Sequence, residues 1–146
     1  MPHISANYKT HPFAPTGQWV CTRTSKLGPY ASHPAANTRS NPDYCGQCVS
    51  YVSTVCPTIP VSTSSWKKGV QVKGNTTIAE GTAIATFNAQ GKYQGHAAIY
   101  VSQDQEGITV YDQWITGSGK AIGQRKLRFG AHGVSNNGDG FHVVES

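Results

Sequence analysis

Apolar and polar positions recur with one period near the middle of the chain and another after residue 80. Between residues 45 and 56, with successive residues set about 100° apart, Cys45, Cys48, Val49, Val52, Val55 and Cys56 gather within roughly one third of the circumference. Ser50 and Thr54 fall on the far side. The pattern predicts a short amphipathic helix over 46–55, with Cys48 near its start and Cys56-Pro57 as its stop, because proline cannot continue a helix. A strand is the competing reading, since Val49, Tyr51, Ser53 and Val55 also alternate and valine and threonine are mediocre helix formers. From Gly81 the period becomes two, and strands are expected at 82–87, 95–101, 107–114, 125–129 and 141–145. Short turns between neighbouring strands imply antiparallel pairing. The expected class is therefore α+β, with helical and irregular material first and a sheet meander after it.

The prolines and scattered aromatics of residues 1–40 read as an irregular N-terminal extension, and Gly28-Pro29, His33-Pro34 and Asn41-Pro42 punctuate a long loop leading into Cys48. Asp43 is a candidate helix cap. Residues 64–69 lead to a polar turn around Gly74-Asn75, and Asn75-Thr76-Thr77 matches a glycosylation sequon. A chain of 146 residues suits a single domain, here 1–146. No apolar run approaches the length of a membrane span, and MPHISANYKT lacks the apolar stretch of a signal peptide. A mature form, or export by a route needing no such segment, is the expectation. The formal net charge of +5 is spread along the chain rather than concentrated on one element with interleaved aromatics. That disfavours nucleic acid and fits attraction to any polyanion, bacterial wall polymers included.

The cysteines are Cys21, Cys45, Cys48 and Cys56. Cys45-Gly-Gln-Cys48 is formally C-x-x-C, yet it follows a Pro/Asn/Ser-rich loop rather than the strand of a redox βαβ unit, and no second ligand pair follows to complete a zinc site. Neither metal nor cofactor is expected. A helix over 46–55 would hold Cys45 and Cys56 roughly 16 Å apart along its axis, beyond disulfide reach. Cys21 bridged to Cys45 or to Cys56 is the expectation.

A thiol at a helix N-terminus sits by unpaired N–H groups, which favour thiolate. Partners for it lie downstream. With 102–106 as the turn, Val101 opposes Gly107 and His96 opposes Asp112 on one face of an antiparallel pair. A cysteine, a histidine to take its proton and a carboxylate to orient the histidine are the parts of a thiol hydrolase. Ala97 and Ala98 leave room for a helix to approach. The backbone N–H of Cys48 and the Gln47 side chain are candidate oxyanion donors. Tyr93, Trp66 and Trp114 are candidate cleft walls.

Six blocks in order, Gly46-Gln-Cys-Val49, Trp66-Lys-Lys-Gly69, Gly81-Thr-Ala-Ile-Ala-Thr-Phe87, Gly91-Lys-Tyr93, Gly95-His-Ala-Ala-Ile-Tyr100 and Gly107-Ile-Thr-Val-Tyr-Asp-Gln-Trp114, carry a family resemblance. Together they resemble the second family of type VI secretion amidase effectors and their domesticated eukaryotic relatives, within the NlpC-like and CHAP peptidoglycan hydrolases. The resemblance covers about residues 44–130. It implies a papain-like fold and a secreted antibacterial enzyme that cleaves peptide bonds of bacterial peptidoglycan, with Cys48 as nucleophile, His96 as base and Asp112 in the third position. Within that family the D-alanine to meso-diaminopimelate cross-link is the expected bond. The bond between D-glutamate and diaminopimelate is the enzymatic rival, and a wall-binding module with lapsed chemistry is the non-enzymatic one. A bacterial effector of this kind would also meet a cognate immunity protein, and the chain is expected to act as a monomer. The long N-terminal segment and the additional cysteines depart from the family pattern.

Overall fold

The computed structural model describes residues 1–34, 45–115 and 119–146. Its centre is a six-stranded antiparallel sheet in the order β3-β8-β4-β5-β6-β7. The strands are β3 (Lys67–Gln71), β4 (Ala83–Phe87), β5 (Tyr93–Gln103), β6 (Gly107–Trp114), β7 (Lys120–Arg128) and β8 (Phe141–Glu145). Strands β4 to β7 form the expected meander, but β8 does not extend it. It returns to pair with β4, and β3 pairs with β8 at the edge. β3 lies where the sequence suggested only a lead into a turn. Its positions are mostly exposed, so no period-two apolar signal marks it. β7 begins five residues before the expected strand.

The single α-helix among the described residues, α1 (Cys48–Val55), packs on the sheet with Cys48 as its first residue. Cys45 is outside the helix. It forms an isolated bridge and a disulfide with Cys21, while Cys56 remains a free thiol. Residues 1–34 carry short regular pieces. They contain the ladder β1 (Trp19–Val20) with β2 (Tyr30–Ala31), and Ile4 bridges Thr82. Asp43, the candidate cap, lies outside the described residues.

Two clusters form the core. Helix α1 gives Tyr51, Val52 and Val55 to a layer completed by Ile59, Trp66, Ile99 and alanines of the sheet. Ala83, Ala85 and Ala97 present only methyl groups there, which lets the helix sit close. On the other face, Leu127 of β7 and Phe141 and Val143 of β8 belong to one cluster, so distant strands of the sheet share a core. Fully burying each of these aliphatic or aromatic side chains contributes about 1.5–3 kcal/mol. The helix needs that contribution. It has eight residues, no side-chain cap and no acidic residue in its first turn, and isolated helices this short are unstable in water.

Two bulges set the geometry of the central strands. Between the pairs Ala85–Ala97 and Phe87–Tyr93, β4 advances two residues while β5 advances four. Between Tyr100–Val110 and Ser102–Thr109, β5 carries one extra residue. The expected register of His96 against Asp112 is therefore displaced. Ile99 pairs with Tyr111, and one step on the same register sets Ala98 against Asp112. A shift of two residues keeps each side chain on its own face, so His96 and Asp112 remain on one side as diagonal neighbours. The bulge arises because the hairpin turn is shorter than the five-residue loop read from the sequence, and β5 runs on to Gln103.

Candidate active site

His96 owes its aim to the bulge that precedes it. Gly95 has φ of +113°, a conformation that L side chains rarely adopt, and a Cβ there would collide with Thr86 Oγ1 and Val134 Cγ1. Thr86 Oγ1 pins the distorted backbone, accepting from the His96 N–H at 3.0 Å and donating to the Gln94 carbonyl at 2.5 Å. Bulges of this kind re-aim side chains beside functional sites. Here the imidazole is directed between the edges of Trp114 and Phe141, and it is 2% exposed.

The ring's Nε2 pairs with Asp112 Oδ2 at 2.8 Å. The other nitrogen is thereby left clear of the carboxylate, and the ring interacts electrostatically with the thiol of Cys48. Asp112 is completely buried, and an unpaired charge there would cost several kcal/mol. Three cationic or donor groups offset that cost. Besides His96, Arg125 Nε donates to Oδ2 at 2.8 Å and Lys120 Nζ to Oδ1 at 3.3 Å. Neither cation was legible as part of the site: Lys120 precedes the strand expected at 125–129, and nothing in the pattern tells which carboxylate Arg125 will meet. Arg125 also lies over the Trp114 ring, 4.4 Å from its centroid. Trp114, a candidate cleft wall, thus packs between the imidazole and a guanidinium.

These contacts shift the protonation of every member. Burial alone would raise the Cys48 thiol, but interaction with His96 and the charge of its imidazolium outweigh burial, with help from the Tyr93 hydroxyl and the Ala97 amide, and the net shift is downward. Burial alone would lower His96, but the Asp112 hydrogen bond and the Cys48 sulfur carry it up to about 9. Asp112 is raised by burial and lowered further by His96, Arg125 and Lys120, so it stays ionised. The shifts run toward a thiolate beside an imidazolium and an ionised carboxylate. Cys56 makes the contrast, since burial with no such partner pushes its thiol up to about 12.

The helix start that presents Cys48 is held from outside the helix. The side chain of Gln113, fully buried, donates to the carbonyls of Gln47 (2.7 Å) and Val20 (3.1 Å) and accepts from the Val20 N–H (2.8 Å). The Gly46 N–H donates to the same Val20 carbonyl at 2.9 Å. Gly46 adopts φ of +112°, and a Cβ there would press on Trp19 at 3.0 Å, which accounts for the glycine of the Gly-Gln-Cys block. The Cys21–Cys45 disulfide adds a covalent tie one residue before it. Gln113 escaped the sequence reading because nothing separates a buried anchoring amide from an ordinary strand residue.

Of the remaining expected residues, the Tyr93 hydroxyl lies 3.4 Å from Cys48 Sγ, and its ring packs edge-on against Trp66 at 5.1 Å. Burial, then the charge and hydrogen bond of the Cys48 thiolate, raise the phenol, so Tyr93 stays a neutral donor. Gln47 is the N-cap residue by position, half-buried at the mouth of the helix. Among the described residues no group of His, Cys, Asp and Glu could hold a metal ion, and no helix is long and apolar enough to cross a membrane.

The family model described as domesticated amidase effector 2 matches residues 13–144. A protein named domesticated amidase effector 2 from Ixodes scapularis is 44% identical over 103 residues, covering 68% of this chain and 70% of its own length. A type VI secretion amidase effector 2 protein of Salmonella typhi is 36% identical over 98 residues, covering 56% of this chain and 73% of its own. A solved structure of type 6 secretion amidase effector 2 superposes with a TM-score of 0.65 at 26% identity, covering 98% of this chain and 94% of the other. With all but the first dozen and the last two residues inside the matched region, the chain belongs to the domesticated amidase effector 2 family.

Proposed function

We propose that the chain is a papain-like cysteine amidase that hydrolyses peptide bonds of bacterial peptidoglycan, with the D-alanine to meso-diaminopimelate cross-link as its target. The observation that carries the reading is the imidazole of His96, bonded at Nε2 to a buried carboxylate and interacting electrostatically with the sulfur at the helix start. The Cys48 thiolate attacks the alanyl carbonyl and a tetrahedral oxyanion forms. His96 then gives its proton to the leaving amine, and a thioester remains on Cys48. Water, deprotonated by the now neutral His96, attacks the thioester and releases the alanine carboxylate, which regenerates the thiolate. Asp112 fixes the tautomer of His96 and balances its charge throughout. The basic chain suits an anionic wall polymer. The enzyme acts as a monomer, released from the producing cell or delivered into a target periplasm and restrained at home by an immunity protein; the name of the Salmonella typhi relative as a type VI secretion effector supports the delivery.

Two tests apply. Purified cross-linked walls digested with wild type and with Cys48→Ala should yield new amine termini at diaminopimelate only for the wild type; identical fragments from both would defeat the proposal. Iodoacetamide should modify Cys48 well below pH 8 and leave Cys56 unlabelled in the folded protein. The oxyanion is assigned to the backbone N–H of Cys48 together with the Gln47 side chain or the Tyr93 hydroxyl. Gln47→Ala and Tyr93→Phe, compared in parallel, separate the two. The true donor loses about 10²-fold in kcat, and a loss under about threefold removes either residue from the role.

A further inference from the structure

Beside His96 runs a groove that the chemistry above does not use. One part encloses 670 Å³ between Phe87, Gln94 and Gly95 on one wall and Val134 and Asn137 on the other. A second part of 280 Å³, sharing Gly133 and Val134 with the first, reaches Trp114. The groove therefore passes from the bulge that aims His96 to the indole that packs against it. Not one of the described residues lining either part carries an ionisable side chain, although the chain as a whole is basic. The nearby cations are committed elsewhere. Lys120 Nζ is engaged by Asp112 and the carbonyls of Ala121 and Gly123. Arg125 NH1 donates to Asn136 Oδ1 at 2.8 Å and NH2 to the Ser135 carbonyl at 2.7 Å, while its Nε holds Asp112. One guanidinium thus ties the outer wall of the groove to the carboxylate of the relay and fixes the width of the groove relative to His96.

We propose that this groove is a subsite for an uncharged, alanine-type residue of the peptide substrate, and that Val134 on the 133–137 loop sets that preference. The proposal rests on the amidase reading of the site. A cross-linked diaminopimelate arm keeps a free carboxylate, and burying it against this wall without an ionic partner would be costly. An alanyl residue inside a peptide has a methyl group and two amides. Gly133 leaves room for the methyl, Val134 and Phe87 offer apolar contact, and the amides of Gln94 and Asn137 match peptide groups. Val134 is 58% exposed at the lip, a surplus of apolar surface that a bound alanyl segment would cover.

Steady-state cleavage of a purified cross-linked muropeptide dimer tests it. Because Val134 is exposed, Val134→Asp and Val134→Lys should both fold. Both should raise KM about tenfold, with kcat within about twofold of wild type and the rate of Cys48 alkylation by iodoacetamide unchanged, which is the signature of lost binding rather than lost chemistry. An unchanged KM in both variants overturns the subsite. Opposite responses, with lysine tightening and aspartate weakening, also overturn it and assign the groove to an anionic part of the stem. If the wild type gives no Cys48-dependent cleavage at all, the amidase reading falls and takes this inference with it; cleavage with an indifferent Val134 removes only the inference.

Discussion

The sulfur and the imidazole–carboxylate pair are held by two regions built on opposite principles. His96 and Asp112 lie on neighbouring strands of a six-stranded ladder; Asp112 is paired with Gly123, the His96 backbone is pinned by the Thr86 hydroxyl, and the carboxylate is held by two cations from the next strand. Cys48 opens an eight-residue helix of poor intrinsic stability with no side-chain cap. Its position depends on ties from elsewhere, namely the Gln113 side chain, the packing of Gly46 on Trp19 and the Cys21–Cys45 disulfide. The sheet half is over-determined and the helix half is borrowed. Damage to the first should alter proton chemistry with little change of shape, whereas damage to the second should misplace the sulfur.

The largest expected effect comes from breaking the sheet half chemically. Asp112→Asn keeps the size of the side chain but removes the charge that holds His96 protonated, and kcat/KM for wall digestion should fall by about 10²–10⁴-fold. Circular dichroism should report an unchanged strand content. A variant with near wild-type turnover would show that the carboxylate serves the fold alone.

Next come the ties of the helix half. Gln113→Ala leaves the buried Val20 N–H without its acceptor and should cost about 2–4 kcal/mol in urea unfolding. The paired change Cys21→Ser with Cys45→Ser opens a loop of 24 residues and should cost about 3 kcal/mol. Both should slow Cys48 alkylation, while the His96 titration seen by NMR loses the part of its rise that the sulfur supplies and keeps the part that Asp112 supplies. Equal disturbance of His96 and Cys48 would contradict the division into two halves.

The smallest and sharpest effect is in pH. The depressed Cys48 should place the acid limb of kcat/KM below the ordinary thiol range, and the alkaline limb should fall near pH 9 as His96 loses its proton. Stability carries the same signs. The His96 contribution is complete below its unfolded value of 6.5 and is lost as pH rises through about 9. The Asp112 contribution is present above its unfolded value of 3.8 and is lost as pH falls through its depressed folded value. An acid limb at the pKa of a free cysteine would show that the imidazole does not charge-pair with the sulfur.

Local pattern pointed to the helix at Cys48, with a strand as its rival, and to four strands of the meander and the last strand, because an apolar helix face and short apolar runs bounded by turn residues both leave a trace in the sequence. It was enough to set His96 and Asp112 on one side of one hairpin, since an even displacement of register preserves the face. Only the tertiary structure decided the rest. The return of β8 to β4, the exposed edge strand β3, the bulge at Gly95, and the arrival of Gln113, Lys120 and Arg125 at the site leave no periodic trace. Each is a contact between residues far apart in the chain or a distortion of one or two residues. The identity of an amide or a guanidinium does not tell which distant carbonyl or carboxylate will meet it, and that is settled only when the strands assemble and the helix docks.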